Sequence, residues 1–362
     1  MSKIPALVLV VAGGLLVAGG ARAAETKTAE QVFKNIQVLK GMPAAQLDPA
    51  MDVMAGALGV QCNYCHVVGG KGKPPAMEKD DKQAKRTARK MVTMMQKINH
   101  DFFGDEQVVT CATCHNGRPE PRTVPPVERV AKEPEPGKVP AGVTVKSLVD
   151  KWTQASGGAA AWKKLKTRVT TGTIEGFGPA PFGMEIVQAS PEKVREQLTM
   201  PSGTFTQGWD GKSGYRAFNG NPRPLDDVDE IRREAQFAPP LTLSALLSGA
   251  KVVADMPLDK GMAHVIEGRQ GEAHVKLWFD PATGLLARMT VNVPTPVGDL
   301  PSQTDFEDYK TVDGVKLPFT IKTNQGGQTS IARYTDIKHN AKLEDAEFEA
   351  PKAPPPPAPQ GK

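Results

Sequence analysis

The segment Val60-Gln61-Cys62-Asn63-Tyr64-Cys65-His66, VQCNYCH, decides how the first third of this chain is read. A second segment, Cys111-Ala112-Thr113-Cys114-His115, repeats its pattern, and the four cysteines of the 362-residue chain all lie in these two pentapeptides. A four-thiolate zinc site would use both pairs, but such sites usually separate their pairs by about 12 to 20 residues. Here 45 residues lie between Cys65 and Cys111, and zinc leaves the two histidines unexplained. Two disulfides would suit an exported protein, although a chain of this length does not need them to fold.

Covalent haem attachment accounts for every position. The two sulfurs of each pair add to the vinyl groups of one porphyrin, and the histidine directly after the second cysteine reaches the iron from the same side. Two covalently bound c-type haems are therefore expected, on Cys62, Cys65 and His66 and on Cys111, Cys114 and His115. The remaining question is the second axial ligand of each iron. Met51 lies eleven residues before Cys62, and His100 lies eleven residues before Cys111. Each is the candidate distal ligand of its haem. A methionine-ligated iron favours its reduced state more than a bis-histidine one, so the Met51/His66 haem should have the higher potential and the His100/His115 haem the lower.

Working outward, the opening 23 residues hold one early lysine, an apolar run from Ile4 to Gly20 and a small-residue site at Ala21-Arg22-Ala23, the pattern of a cleaved signal peptide, with an uncleaved membrane anchor as the alternative. The mature chain is expected to be exported to the periplasm, where it could also sit at the inner-membrane surface. Losing Lys3 and Arg22 lowers the formal charge from +5 to +3, too mild a balance for a nucleic-acid binder. Residues 24–118 read as helical and rich in methionine. The expected helices follow the capping-box pattern at Thr28 to Gln31, begin again at Asp48-Pro49, and run once more over residues 81–100. Residues 119–142, dense in proline, read as an extended linker. Residues 143–162 could form one helix, and the chain to residue 350 alternates in short runs split by turn residues, an antiparallel sheet of eight or more strands. An apolar stretch over residues 239–247, behind an acidic patch at 226–234, could cover one face. Residues 351–362 are a proline-rich tail. The expected class is α+β in two domains, an all-α dihaem domain followed by an antiparallel β half-barrel with a few helices.

Three functional classes follow. Electron transfer between redox partner proteins, or to a membrane-bound electron-transfer complex, needs two six-coordinate irons. A dihaem peroxidase or reductase needs an open iron position, which plausible ligands on both irons argue against. A lipid or lipoprotein carrier with a haem redox sensor would instead put the chemistry in the sheet. Basic residues near the motifs (Lys71, Lys73, Lys82, Lys85, Arg86, Arg89, Lys90) could steer an acidic redox partner, though a charged helix face is more often simply solvated.

The strings MDVMAGALGVQCNYCH, FKNIQVLKGMP and ARKMVTMMQKIN resemble the cytochrome c subunit of photosynthetic reaction centres, in particular the C-terminal half of that tetrahaem protein. The resemblance covers about residues 30–120. It implies electron transfer and a methionine ligand in the helix before the motif, the place Met51 occupies; Cys62, Cys65, His66, Cys111, Cys114 and His115 match the family's attachment residues. The chain departs from it in having two motifs rather than four, no lipid-anchor cysteine and a local histidine at position 100. Further on, WFDPATGLLARM and DYKTVDGVKLPFTI are similar to segments of periplasmic lipoprotein-carrier-like half-barrels, which implies a hydrophobic ligand held by the C-terminal sheet.

Overall fold

A computed structural model describes residues 27–68, 76–122, 137–138, 140–225, 229–259 and 261–352. The expected signal peptide, Lys71 and Lys73, most of the proline-rich linker and nearly all of the tail lie outside the described residues. Five helices come first: α1 (Ala29–Val32), α2 (Leu47–Leu58), α3 (Cys62–Cys65), α4 (Gln83–Phe103) and α5 (Cys111–His115). Next are α6 (Val145–Ala155) and α7 (Ala159–Lys164), then strands β1 (Thr167–Glu175), β2 (Phe182–Ala189), β3 (Lys193–Met200), β4 (Gly203–Trp209), β5 (Gly214–Phe218) and β6 (Asn221–Leu225). Helices α8 (Asp229–Ala235) and α9 (Pro239–Leu246) interrupt the strands. The chain then continues through β7 (Ser248–Pro257), β8 (Met262–Gln270), β9 (Ala273–Phe279), β10 (Leu286–Thr295), β11 (Gly298–Val312), β12 (Val315–Gln325) and β13 (Gln328–His339).

The strands make one antiparallel sheet of thirteen, in the order β6-β5-β4-β3-β2-β1-β13-β12-β11-β10-β9-β8-β7. Sequential hairpins supply every pairing but one. The exception is β1 against β13, which joins the first and last strands in mid-sheet. Side chains alternate across each strand, so Met289, Val291 and Val293 of β10 share the inner face that the helices cover. On that face Leu148 and Trp152 of α6 pack on Val275, Leu277 and Phe279 of β9, with the Trp152 and Phe279 rings edge to face at 5.5 Å. Trp162, Leu165 and Phe237 pack on Val315, Leu317 and Ile337 in a neighbouring cluster.

Two local expectations are modified. Helix α1 stops after one turn, because Asn35 and Leu39 take positive φ (63° and 60°) and Asn35 turns its amide to Asp80. The expected single helix over 143–162 breaks at Ser156-Gly157-Gly158. A side chain at Gly157 would meet the Gly314 carbonyl at 2.2 Å, so the backbone bends there to pass β12. The N-terminal helices also touch the sheet. Val53 of α2 shares a core with Val297 and Leu300 at the β10–β11 hairpin, and Gln325 donates to the Asp52 carboxylate at 3.3 Å. Gly56 lies so close to the β12–β13 turn that a β-carbon on it would sit 2.4 Å from the Gly326 carbonyl oxygen. Among the described residues no helix is long and apolar enough to cross a membrane.

Candidate haem-binding site

Each cysteine pair forms one short helical turn. Helix α3 begins after extended Gln61 and ends at extended His66, whose N–H donates to the Cys62 carbonyl at 2.9 Å. Helix α5 follows Thr110, whose N–H is capped by the Thr113 hydroxyl at 3.0 Å. A single turn brings residues three and four apart to one side, so Cys and His of each motif can address the same ring.

The two turns are held by different neighbours. Helix α5 packs on α2, where the Gly117 N–H donates to the Ala57 carbonyl at 2.8 Å. Gly59 makes that approach possible, since it caps α2 at φ +65° and a β-carbon there would lie 2.3 Å from the Gly117 oxygen. Helix α3 instead lies against the start of α4. Lys82 donates to the Asn63 carbonyl, Lys85 to the carbonyls of Met77 (2.7 Å) and Lys79 (2.9 Å), and Arg89 to the Asp80 carboxylate (2.8 Å). These cations hold the loop that returns from the first motif. Arg89, Asn35 and Lys85 together keep the Asp80 carboxyl well below the usual carboxylate range.

The imidazoles are oriented in the same way in both motifs. His66 Nδ1–H donates to the Met77 carbonyl at 3.0 Å, and His115 Nδ1–H to the Arg118 carbonyl at 2.9 Å. Each bond fixes the tautomer and leaves Nε2 with its lone pair, as expected of a histidine that ligates a metal. Burial pushes the Cys65 and Cys111 thiols up, so a neutral sulfur, thiol or thioether, suits these walls better than a thiolate. All four cysteines are free of disulfides. Among the described residues no three His, Cys, Asp or Glu side chains converge on one point.

Met51, Cys62, Cys65, His66, Cys111, Cys114 and His115 all line a cavity of about 2730 Å³ that continues across the inner face of the sheet. The donor set and the apolar walls fit a c-type haem at each motif. His100 is not among the lining residues. Its side chain is 70% exposed, and its Nδ1 lies 2.9 Å from the Asp105 carboxylate. The cavity side of α4 carries Met91, Met94, Met95 and Ile98 instead. At 3.6 residues per turn, His100 lies roughly 150° round the helix from the line through Met91, Met94 and Ile98.

One residue that spacing did not single out is Asn99. Buried beside exposed His100, it donates to the Val109 carbonyl at 2.8 Å and accepts from the Val109 N–H at 2.9 Å, pinning the segment that leads into Cys111. A polar residue on the apolar stripe of Ala88, Val92 and Met95 was the signal available in the sequence.

Two CxxCH turns, each presenting an oriented imidazole to an apolar cavity, carry the attachment pattern of a c-type cytochrome. Comparison with known proteins agrees: residues 16–153 match the family model described as photosynthetic reaction centre cytochrome C subunit. The chain is 36% identical over 91 residues to cytochrome c-554 of Chloroflexus aurantiacus, which covers 24% of this chain and 20% of that protein. It is 33% identical over 98 residues to the photosynthetic reaction center cytochrome c subunit of Thermochromatium tepidum, covering 26% and 23% respectively. The chain thus spans only about a fifth to a quarter of the length of these relatives. Among solved structures, a LolA superfamily protein from Nitrosomonas europaea aligns with 57% of this chain and 98% of its own length, at 14% identity and a TM-score of 0.42.

Proposed function

We propose that the protein is an exported dihaem c-type cytochrome that passes single electrons between redox partners in a photosynthetic or respiratory chain. The observation that carries this reading is the matched pair of imidazoles, each held through Nδ1 by a backbone carbonyl and each facing the cavity that holds its own cysteines. Haem iron, when bound, supplies a reversible one-electron couple. The chain's own residues do the rest. Met77 and Arg118 carbonyls keep the proximal rings from turning, Lys85 fixes the Met77 carbonyl in place, and Asn99 fixes the approach to the second motif. Apolar residues of α2 and α4 exclude water from both sites, which favours the less charged, reduced state.

Met51, on the cavity face of α2, is our distal ligand for the first haem. For the second haem, spacing proposes His100, while the placement of α4 offers its methionine face. We favour a methionine, because His100 Nε2 would have to reach the site from the far side of the helix. A potentiometric titration followed by visible spectroscopy tests both parts. Two one-electron steps are expected in the wild type, and His100→Ala should leave both steps and the oxidised spectrum unchanged. A single step would contradict the two-haem reading; loss of one low-potential step in His100→Ala would return the ligand role to His100.

A further inference from the structure

The cavity is apolar over most of the sheet's inner face, yet one end of it is built differently. Arg168 of β1 lines it with only 8% of its surface exposed. Its Nη2 donates to the Phe237 carbonyl at 2.6 Å, and its guanidinium lies 5.1 Å from the Phe237 ring and 6.0 Å from that of Trp162. Arg168 forms no ion pair among the described residues, and its Nε–H is buried without an acceptor. Burial lowers its pKa to about 10, so it remains a cation at neutral pH.

Gln236, 3% exposed, lines the same cavity with neither its amide oxygen nor its amide nitrogen partnered. Of the buried side-chain polar atoms that lack a partner among the described residues, those on the cavity wall belong to Arg168 and Gln236 alone. A buried, unpaired cation and an unsatisfied amide are each costly. Arg168, bonded to the carbonyl of Phe237, and Gln236, the neighbour of Phe237 in sequence, both line this cavity, and an oxyanion can accept from a guanidinium and an amide N–H together.

Next to this polar end the wall is mostly apolar, with Glu196, opposite Ile186, and Glu234 also lining it. Ile174 of β1, Met184 and Ile186 of β2, and Leu317 and Ile321 of β12 line it. From Arg168 to Ile174 the strand advances about 20 Å, the scale of an extended long acyl chain. Arg168 is the one buried cation among the described residues, which argues for a singly charged head.

We propose that this end of the cavity binds a long-chain carboxylate, with its head on Arg168 and Gln236 and its chain along Ile186, Met184 and Ile174. The site is independent of the haem reading, and it goes beyond a general hydrophobic ligand by specifying the head group.

The test uses the haem-loaded full chain, delipidated, with palmitate and 1-hexadecanol as probes and binding followed by calorimetry. Palmitate should bind once per chain and about tenfold or more tightly than hexadecanol, as expected for hydrogen bonds to a charged head. Arg168→Gln should erase that preference while leaving hexadecanol binding unchanged. Gln236→Leu, which keeps the charge, should reduce it in part. Equal affinity of the wild type for the two probes, no palmitate binding, or a preference that survives Arg168→Gln overturns the proposal. The wild-type comparison decides even if the arginine variant does not fold.

Discussion

Replacing Cys62 and Cys65 together by alanine should halve the Soret absorbance of the purified protein and leave one chromophore in place. Thioether bonds are the only covalent hold on each porphyrin in this reading, and each cysteine pair serves its own ring. The two motifs are also supported by different elements. The first rests on the loop pinned by Lys82, Lys85 and Arg89 at the start of α4, and the second on α2 through the Gly117–Ala57 bond. Loss of one ring should therefore spare attachment of the other. The reciprocal pair, Cys111→Ala with Cys114→Ala, should give the other half of the absorbance. The vacated wall would be apolar, since Met91, Met94 and Ile98 line the cavity there. The single-haem variants should accordingly bind more of a hydrophobic dye than the wild type. Complete loss of colour in either double variant would mean that the two attachments are not independent.

The second large effect concerns the sheet. Phe279→Ala should cost about 3–5 kcal/mol of stability, by the usual toll of removing a buried phenyl ring. The ring sits at the centre of the largest core cluster, edge to face with Trp152, and its strand pairs on both sides, with His264 of β8 and Leu286 of β10. Helix α6 reaches the sheet chiefly through Leu148 and Trp152. The cavity left behind would loosen that helix as well as the strand. Against the 5–15 kcal/mol of a typical domain, such a loss is large, and urea unfolding followed by far-UV circular dichroism would measure it. A change below about 1 kcal/mol would show that α6 is not held to the sheet through this contact.

Much of the architecture was legible because it rests on local chemistry. The CxxCH segments, the Gly59 stop of α2 and the helical period of α4 are short-range signals, and the structure places a helix at each. The strands that alternate cleanly, such as β9 with its regular buried and exposed positions, could also be read. Less legible were β6, with two prolines at the sheet edge, and β11, the longest strand, which carries mostly polar side chains and a break at Asp308 with φ 53°. Edge strands tolerate proline because one row of N–H groups has no partner to lose.

The site was read more unevenly. Counting eleven residues back from each motif treats the two approaches as equal, but they differ. Gly59 is followed after two residues by Cys62, whereas six residues separate Gly104 from Cys111. The same count therefore lands on different faces of α2 and α4, with Met51 towards the cavity and His100 away from it. The basic residues read as a steering surface have a more local use, since Lys82, Lys85, Arg86 and Arg89 are bonded to backbone and carboxylate oxygens around the first motif. The packing of α2 on the β10–β11 hairpin depends on residues far apart in the chain, Val53 with Val297 and Leu300, and no short window of sequence contains it.

The central claim is that porphyrin is bonded through sulfur at both pentapeptides. Intact mass of the acid-denatured protein, after acetone extraction of anything not covalently bound, tests it most directly. The account predicts a single species heavier than the polypeptide by two haems. A polypeptide mass with one haem, or with none, would contradict it.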